Sequence, residues 1–416
     1  MTGNRLRIWL LQTGEPMPLE PGCRLMRTGL VADALTRRGH EVWWISSAFE
    51  HQRKRMLFDD DARLTLPNGV ILQVLRGSGY RKNVSLARWR DHLQVAAKFR
   101  RLAPSLHRPD VVVAALPCHN LAYEAARFCQ KNAIPCALDI RDPWPDIFFN
   151  FLPGPMRVLA QVPLWRDTVR SRQACHDATA LVATSDSFLR WGLGKARRSK
   201  RLLDQVFYHG YPAADQAETV APDWLDRLQG KRLAVFVGTF GDSYELPLLL
   251  DAARDCLNRG QDDVTFVLAG EGAHFTAMAR QAAALPNVVL PGWIGADEIR
   301  ALLQRAWVGL APCRSETGTL PNKIFEYLAY GLPVLSSLTG DVEQLLEKGS
   351  CGFSYAPGDR SRLGELLTIL HREPEQRKSM AAAARAFFER HGRSDVIYSR
   401  YADFVEALAS GKEPQS

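Results

Sequence analysis

The chain has no Cys-x-x-Cys pair and no Cys/His cluster at zinc-ligand spacing, although it holds eight cysteines, at Cys23, Cys118, Cys129, Cys136, Cys175, Cys256, Cys313 and Cys351. A structural zinc site or a redox dithiol is therefore not what organises it, and the thiols read as reduced and mostly buried. Long apolar runs are missing too. The opening MTGNRLRIWLLQTGEP offers only Ile8-Trp9-Leu10-Leu11 before Gln12, too short for the core of a secretion signal. Nothing approaches the roughly 20 apolar residues of a spanning helix, so a cytoplasmic chain is expected, with any membrane contact peripheral. A metal-binding D-x-D after a strand is absent as well. Asp59-Asp60-Asp61 lies in a charged stretch between Arg55 and Arg63 with no strand end before it, which reads as a solvated loop. No catalytic metal and no organic cofactor are expected.

What is present is a chain of 416 residues, 46% hydrophobic and 24% charged. That length exceeds what one hydrophobic core sustains, so two domains are expected. Charge is unevenly spread. Residues 1–215 hold 32 Lys and Arg against 19 Asp and Glu, while residues 216–416 hold 21 against 26. A basic half of this kind suits an anionic surface or ligand, or simply a solvated basic face. No recognised nucleic-acid module accounts for the arginines, so nucleic acid is not the expected partner.

Arg7–Leu11 reads as a buried strand, followed by a Pro/Gly-rich loop, a helix with Leu30, Ala34 and Leu35 on its apolar side, a stop at Gly39, and a strand at Glu41–Ile45. Strand, loop, helix, strand is the opening of a doubly wound parallel sheet. Further strands are expected at 110–115, 136–140 and 180–184, with a helix over 121–131. After His209-Gly210-Tyr211-Pro212 the chain turns polar, and a second series begins at Leu233–Val237, with Gly238 and Gly241 in its loop. It continues through 264–268 (Gly270, Gly272), 288–290 (Gly292), 308–311 and 333–335. The expected boundaries are an N-terminal Rossmann-like domain over 1–213, a second over 214–385, and a C-terminal helix and tail over 386–416 that packs back toward the first domain. Ligands of such sheets bind at the carboxyl ends of the strands.

Residues 264–358 carry a resemblance. Phe266-Val-Leu-Ala-Gly270-Glu271-Gly272, Asn287-Val-Val-Leu-Pro-Gly292, Glu298-Ile-Arg-Ala-Leu-Leu and, most specific, Pro321-Asn-Lys323-Ile-Phe-Glu326-Tyr-Leu-Ala-Tyr-Gly331-Leu-Pro333-Val-Leu follow one another in order. The run resembles the retaining family 4 glycosyltransferases of the GT-B fold. It is nearest the branch that includes bacterial surface-polysaccharide N-acetylfucosamine transferases. Asp139-Ile-Arg-Asp142-Pro-Trp144-Pro145 is similar to that branch's D-x-W-P segment, with one residue extra. The resemblance implies two Rossmann-like domains facing each other across a cleft, and a UDP-sugar as the favoured donor.

It also implies roles. Glu326 would accept hydrogen bonds from the ribose hydroxyls, a task suited to an ionised carboxylate, which has acceptors only. Lys323, with backbone donors near Leu320 and Asn322, would hold the diphosphate at a helix N-terminus. The loop at Gly238 and Thr239 would add donors. The commoner family pattern has Arg and Lys after that strand, so Arg24 or Arg27 of the first domain is a candidate to supply the missing charge. The family's first paired glutamate falls, in register, on Gly318, but Glu316-Thr-Gly-Thr-Leu-Pro321 resembles its motif with two residues more, and Glu316 is the favoured sugar-side carboxylate. His119, after a strand and opening a helix, is the candidate to contact the donor sugar; a lone histidine is also often structural.

On the acceptor or membrane side stand Arg24, Arg27, the aromatic loop Phe148-Phe149-Asn150-Phe151-Leu152 and Arg157 beyond it, with Arg81, Lys82, Arg88 and Arg90 upstream. Cations beside aromatic residues suit an interfacial contact. With the resemblance, they point to a polyprenyl-diphosphate-linked or glycolipid acceptor at an anionic membrane. Non-hydrolysing nucleotide-sugar epimerases share the fold, and a catalytically silent nucleotide-sugar-binding partner is a further alternative.

Overall fold

A computed structural model describes residues 5–20, 23, 25–82, 85–147, 154–214, 220–314 and 320–411, without side chains for 154–161 and 163. Its contacts divide the chain into two units, Met1–Phe207 with Val396–Ser416, and Tyr208–Asp395.

The first unit is built on strands β1 (Arg7–Leu11), β2 (Glu41–Ser47), β5 (Ala62–Thr65), β6 (Ile71–Leu75), β7 (Val111–Leu116), β8 (Cys136–Ile140), β9 (Ala180–Ala183) and β10 (Gln205–Val206), with a small hairpin of β3 (Phe49–Glu50) and β4 (Arg55–Met56). Their order is β10-β9-β8-β7-β1-β2-β6-β5, all parallel except the edge strand β5, which runs antiparallel to β6. Every residue of β7 and β8 is buried, as central parallel strands covered on both faces require. The order reverses beside β1, between β1 and β7, which is where a doubly wound sheet opens a ligand crevice.

The first helix, Arg27–Arg37, departs from the sequence expectation. Its buried stripe is Arg27, Thr28, Val31, Ala32 and Leu35, not the side carrying Leu30 and Ala34. The cause is a buried charge. Arg27 is 2% exposed and its guanidinium donates to both oxygens of Asp139, at 2.9 and 3.0 Å, and to Phe207 O at 2.7 Å. Burial alone would raise Asp139, but the cations of Arg27 and Arg141 outweigh it and hold the carboxyl at about 2. The helix Ser394–Ser410 packs on this same unit through Arg38 to Asp403 (2.6 Å) and Tyr401, whose ring lies 5.1 Å from the Arg27 guanidinium.

The second unit is a six-stranded sheet, β13 (Val288–Gly292), β12 (Val264–Ala269), β11 (Arg232–Val237), β14 (Ala306–Ala311), β15 (Val334–Ser336) and β16 (Gly352–Ser354), in that order. All pairs are parallel, and the order reverses between β11 and β14. The segment between β14 and β15 contains the helix Asn322–Ala329, which Tyr327 pins to the sheet by accepting from Val237 N and donating to Leu310 O, both at 3.2 Å. Among the described residues no helix is long and apolar enough to cross a membrane.

Candidate functional site

In the second unit the loop after β11 and the loop after β12 stack closely. A Cβ on Gly270 would run into Gly238 O, and one on Gly272 would stand 2.6 Å from Phe240 O. Gly270 and Gly272 have φ of +136° and +154°, which only glycine adopts at little cost. Hydrogen bonds from Phe240 N to Glu271 O (2.9 Å) and from Gly238 N to Ala269 O (3.0 Å) lock the pair together. This wall stands at the carboxyl end of β11, beside the reversal in strand order.

Lys323 points at it. Its Nζ would lie 2.8 Å from a Cβ on Gly238, and it sits between two aromatic rings, 3.9 Å from the Phe236 centroid and 3.8 Å from the Tyr244 centroid. The residue is 8% exposed, and among the described residues the ammonium has no hydrogen-bond partner. Burial lowers its pKa to about 7, against the opposing pull of Cys313 and Glu326. Facing two π surfaces lets a buried ammonium recover part of its lost hydration, but a ring face does not replace the hydrogen bonds its three donors can make.

Three residues along, Glu326 accepts from the Tyr211 hydroxyl at 2.7 Å. Asn322 and Thr239 are exposed and Leu320 is buried. Ser337 ties the loop after β14, accepting from Cys313 N at 2.6 Å and donating to Cys313 O at 3.0 Å. The structure thus brings together Gly238, Lys323 and, through the same helix, Glu326. Glu316 and Gly318 lie outside the described residues.

In the first unit His119 opens the helix His119–Lys131 and is 3% exposed. Its Nε2 meets Asp167 Oδ1 at 2.7 Å, and Asp167 Oδ2 accepts from Trp89 Nε1 at 3.0 Å. Asn120, next in sequence, accepts from Arg170 at 2.5 Å. His119 is therefore clamped to the helix Gly154–Asp177, on which Asp167 lies.

Arg27 requires a correction. It was expected toward an acceptor, a membrane or the diphosphate, and it is enclosed in the ion pair with Asp139 instead. Arg24, Phe148 and Phe149 lie outside the described residues, and Arg157 belongs to the helix Gly154–Asp177 with its side chain not described. Sequence reasoning passed over Phe236, Tyr211 and Asp167. Phe236 reads only as an apolar strand residue, Tyr211 as part of a linker, and Asp167 as one charge among arginines. Among the described residues no three His, Cys, Asp or Glu side chains converge as a metal-binding group.

Residues 231–372 match the family described as glycosyl transferases group 1. The amylovoran biosynthesis glycosyltransferase AmsK of Erwinia amylovora is 29% identical over 126 residues, covering 29% of this chain and 31% of that protein. The sulfoquinovosyl transferase SQD2 of Arabidopsis thaliana is 28% identical over 165 residues, 39% of this chain and 31% of that protein. The matched stretch thus spans under a third of either curated relative. Two solved structures are alike over almost the whole chain. Anabaena Alr3699/HepE in complex with UDP-glucose has a TM-score of 0.62 at 16% identity, covering 98% of this chain and all of that one. The UDP-forming α,α-trehalose-phosphate synthase of Burkholderia vietnamiensis has 0.71 at 15%, covering 98% of each. At such identities the likeness shows the fold. Residues 231–372 are therefore similar to the group 1 glycosyl transferases, and the chain as a whole has the GT-B fold of two Rossmann-like units.

Proposed function

We propose that this protein moves a sugar from a nucleotide diphosphate donor, UDP-sugar favoured, to a lipid-linked glycan acceptor with retention of anomeric configuration, as in the family 4 branch that includes N-acetylfucosamine transferases. The observation that carries the reading is Lys323, a buried ammonium without a hydrogen-bond partner among the described residues, aimed at the Gly238 turn. A diphosphate oxygen supplies what that ammonium lacks, and a cation fixed in a dry site stabilises the negative charge that grows on the leaving diphosphate as the sugar bond breaks. Gly238 leaves room for the phosphate to approach the backbone. Glu326 stands one helical turn beyond Lys323, placed to receive the ribose hydroxyls, with the Tyr211 hydroxyl bond holding its carboxylate in one orientation. Chemistry of this kind asks for no metal.

UDP is favoured because structural neighbours were solved with UDP and UDP-glucose. A polysaccharide or glycolipid acceptor is favoured by the names of the two curated relatives. Association with the inner face of an anionic membrane has support from the surface of the first unit. Leu86 and Trp89 are 84% and 39% exposed near the start of the helix Leu86–Leu102, and Val162 and Trp165 are 78% and 62% exposed on the helix Gly154–Asp177. The Trp89–Asp167 hydrogen bond joins those helices, and Arg81, Lys82, Arg90 and Arg166 stand exposed among the apolar groups.

The test is a panel of nucleotide sugars scored by binding and by transfer, with and without membranes from a polysaccharide-producing cell. The reading requires a UDP-sugar to bind and Lys323→Ala to abolish that binding while the protein stays folded. Equal affinity of wild type and variant would refute it.

A further inference from the structure

The chain passes between the two units twice, after Phe207 and after Asp395. Just inside the second unit the entering and the leaving stretch pair with each other. Tyr211 N donates to Gly392 O at 2.8 Å and Ser394 N donates to Tyr211 O at 2.9 Å, so Tyr211 and Arg393 lie side by side as a short parallel bridge. The leaving stretch comes out of a wide turn, Phe388–Gly392, closed by a bond from Arg393 N to Phe388 O at 3.1 Å. Turns of that width are rare in helices and recur at functional sites.

Both stretches reach the helix Asn322–Ala329 at two adjacent residues. The Tyr208 ring lies 5.3 Å from the ring of Phe325, and a Cβ on Gly392 would stand 3.1 Å from Phe325 Cδ1, so the wide turn needs its glycine where it meets the helix. Phe325 is fully buried. Its neighbour Glu326 accepts from the Tyr211 hydroxyl at 2.7 Å. The backbone of Tyr211 is thus bound to the leaving stretch, and its side chain to the helix that carries Lys323 and Glu326. A hydroxyl suits this place, since it donates one hydrogen bond without bringing a positive charge and takes up only one of the carboxylate's about four acceptor positions.

We propose that Tyr211 is a positioning residue that couples occupancy of the donor site, through Glu326, to the paired stretches 208–212 and 391–395. The proposal rests on the reading of Glu326 as the ribose ligand. A ribose that fixes the carboxylate holds the tyrosine hydroxyl as well, and through the Tyr211 backbone it slows the opening of the bonds to Gly392 and Ser394. Linkage runs both ways, so whatever disorders that pairing weakens nucleotide binding.

Hydrogen exchange of the full chain, with and without saturating UDP, tests the coupling alongside calorimetric titration with UDP. In the wild type, UDP should slow exchange about threefold or more in the peptides that carry the Tyr211 and Ser394 amides. Tyr211→Phe should bind UDP about five- to tenfold more weakly and, once saturated, should lose that protection. Glu326→Ala saturated with UDP should lack it too, and adding Tyr211→Phe to that variant should weaken UDP by less than about twofold more, the non-additivity expected of one shared contact. A tyrosine that merely supports the fold would speed exchange in both stretches equally with and without UDP, and that result overturns the proposal. So do wild-type affinity and undiminished protection in Tyr211→Phe, which leave the reading of Glu326 standing. If Tyr211→Phe is unstable, Glu326→Ala decides, because protection of both stretches by UDP in that variant overturns the coupling. Wild-type affinity in Glu326→Ala refutes the ribose reading itself, and the proposal falls with it.

Discussion

Donor binding should draw a proton into the protein, because burial leaves the Lys323 side chain only about half protonated near pH 7 when the site is empty. Burial brings Lys323 from 10.5 to about 7. A diphosphate against Nζ restores the charged form, so binding is linked to protonation. At pH 8 a group of pKa about 7 is roughly one-tenth protonated, and full protonation in the complex means uptake of about 0.9 proton; at pH 6 the uptake falls to about 0.1. UDP-glucose is the right ligand, since its esterified diphosphate does not titrate in this range. Titration calorimetry in two buffers of different ionisation enthalpy gives the proton count directly. Lys323→Met should show no uptake at either pH and a loss of affinity at both. The same shift has a stability counterpart, of which the sign is fixed. Between about 7 and 10.5 the unfolded chain binds more protons than the folded one, so wild-type stability rises with pH across that window. Relative to Lys323→Met, the wild type should gain about 2.5 kcal/mol between pH 6 and pH 9. Proton uptake that is equal at pH 6 and pH 8, or unchanged in Lys323→Met, would refute the reasoning.

Glu326→Gln should weaken UDP about 10- to 100-fold, the value of hydrogen bonds to a charged acceptor, with little change in melting temperature; calorimetry with UDP reads it. Transfer should survive excess chelator, and proton NMR of the product should show the donor's anomeric configuration; an inverted product or activity restored only by Mn²⁺ would contradict the retaining, metal-independent reading. Binding to anionic vesicles should fall as salt screens the arginines over about 8 Å, and Val162→Ser with Trp165→Ser should remove most of the residue left at high salt, each buried side chain contributing about 1.5–3 kcal/mol. Arg27→Met should cost about 3–5 kcal/mol in denaturant unfolding by leaving the buried Asp139 short of a partner, and should leave vesicle binding of the folded protein unchanged.

The strands were the legible part of the fold. β1, β7, β8, β11 and β12 are largely buried and announce themselves as apolar runs, and the loops after β11 and β12 are marked by glycines the geometry demands. The edge was not legible. β5 is Ala-Arg-Leu-Thr with two exposed residues, and the β3–β4 hairpin encloses His-Gln-Arg-Lys, so both read as charged loop. Short edge strands carry little of the pattern that marks a core strand, because solvent permits charge there. Of the candidate site, Lys323 and Glu326 were visible through an ordered motif. What no motif could show is that Lys323 stands between Phe236 and Tyr244, without a hydrogen-bond partner among the described residues; those three side chains meet only after β11, the loop behind it and a distant helix have folded together.

Charge misled where it was most conspicuous. A basic first half suggests a basic surface, yet a count of arginines says nothing about which of them the fold encloses. Arg27 and Arg141 are both engaged with Asp139, and that carboxylate belongs to the very Asp-Ile-Arg-Asp segment from which the resemblance was read. Part of the positive excess is thus spent in holding the first helix and the loop after β8 in place. The remainder divides between two settings. Arg81, Lys82, Arg90 and Arg166 stand in solvent near the exposed Trp89 and Trp165, a setting in which the proposed membrane contact would gain about 1 kcal/mol per cation. Lys54 and Arg88 are partly buried, Lys54 against Tyr80 and Arg88 against Tyr80 and Trp144, where solvent screens them less. The helix Leu86–Leu102 carries Arg88 and Trp89 as consecutive residues, one toward the aromatic cluster and one bonded to Asp167. One helix thus places consecutive residues in two different environments, which a count of charges along the sequence does not separate.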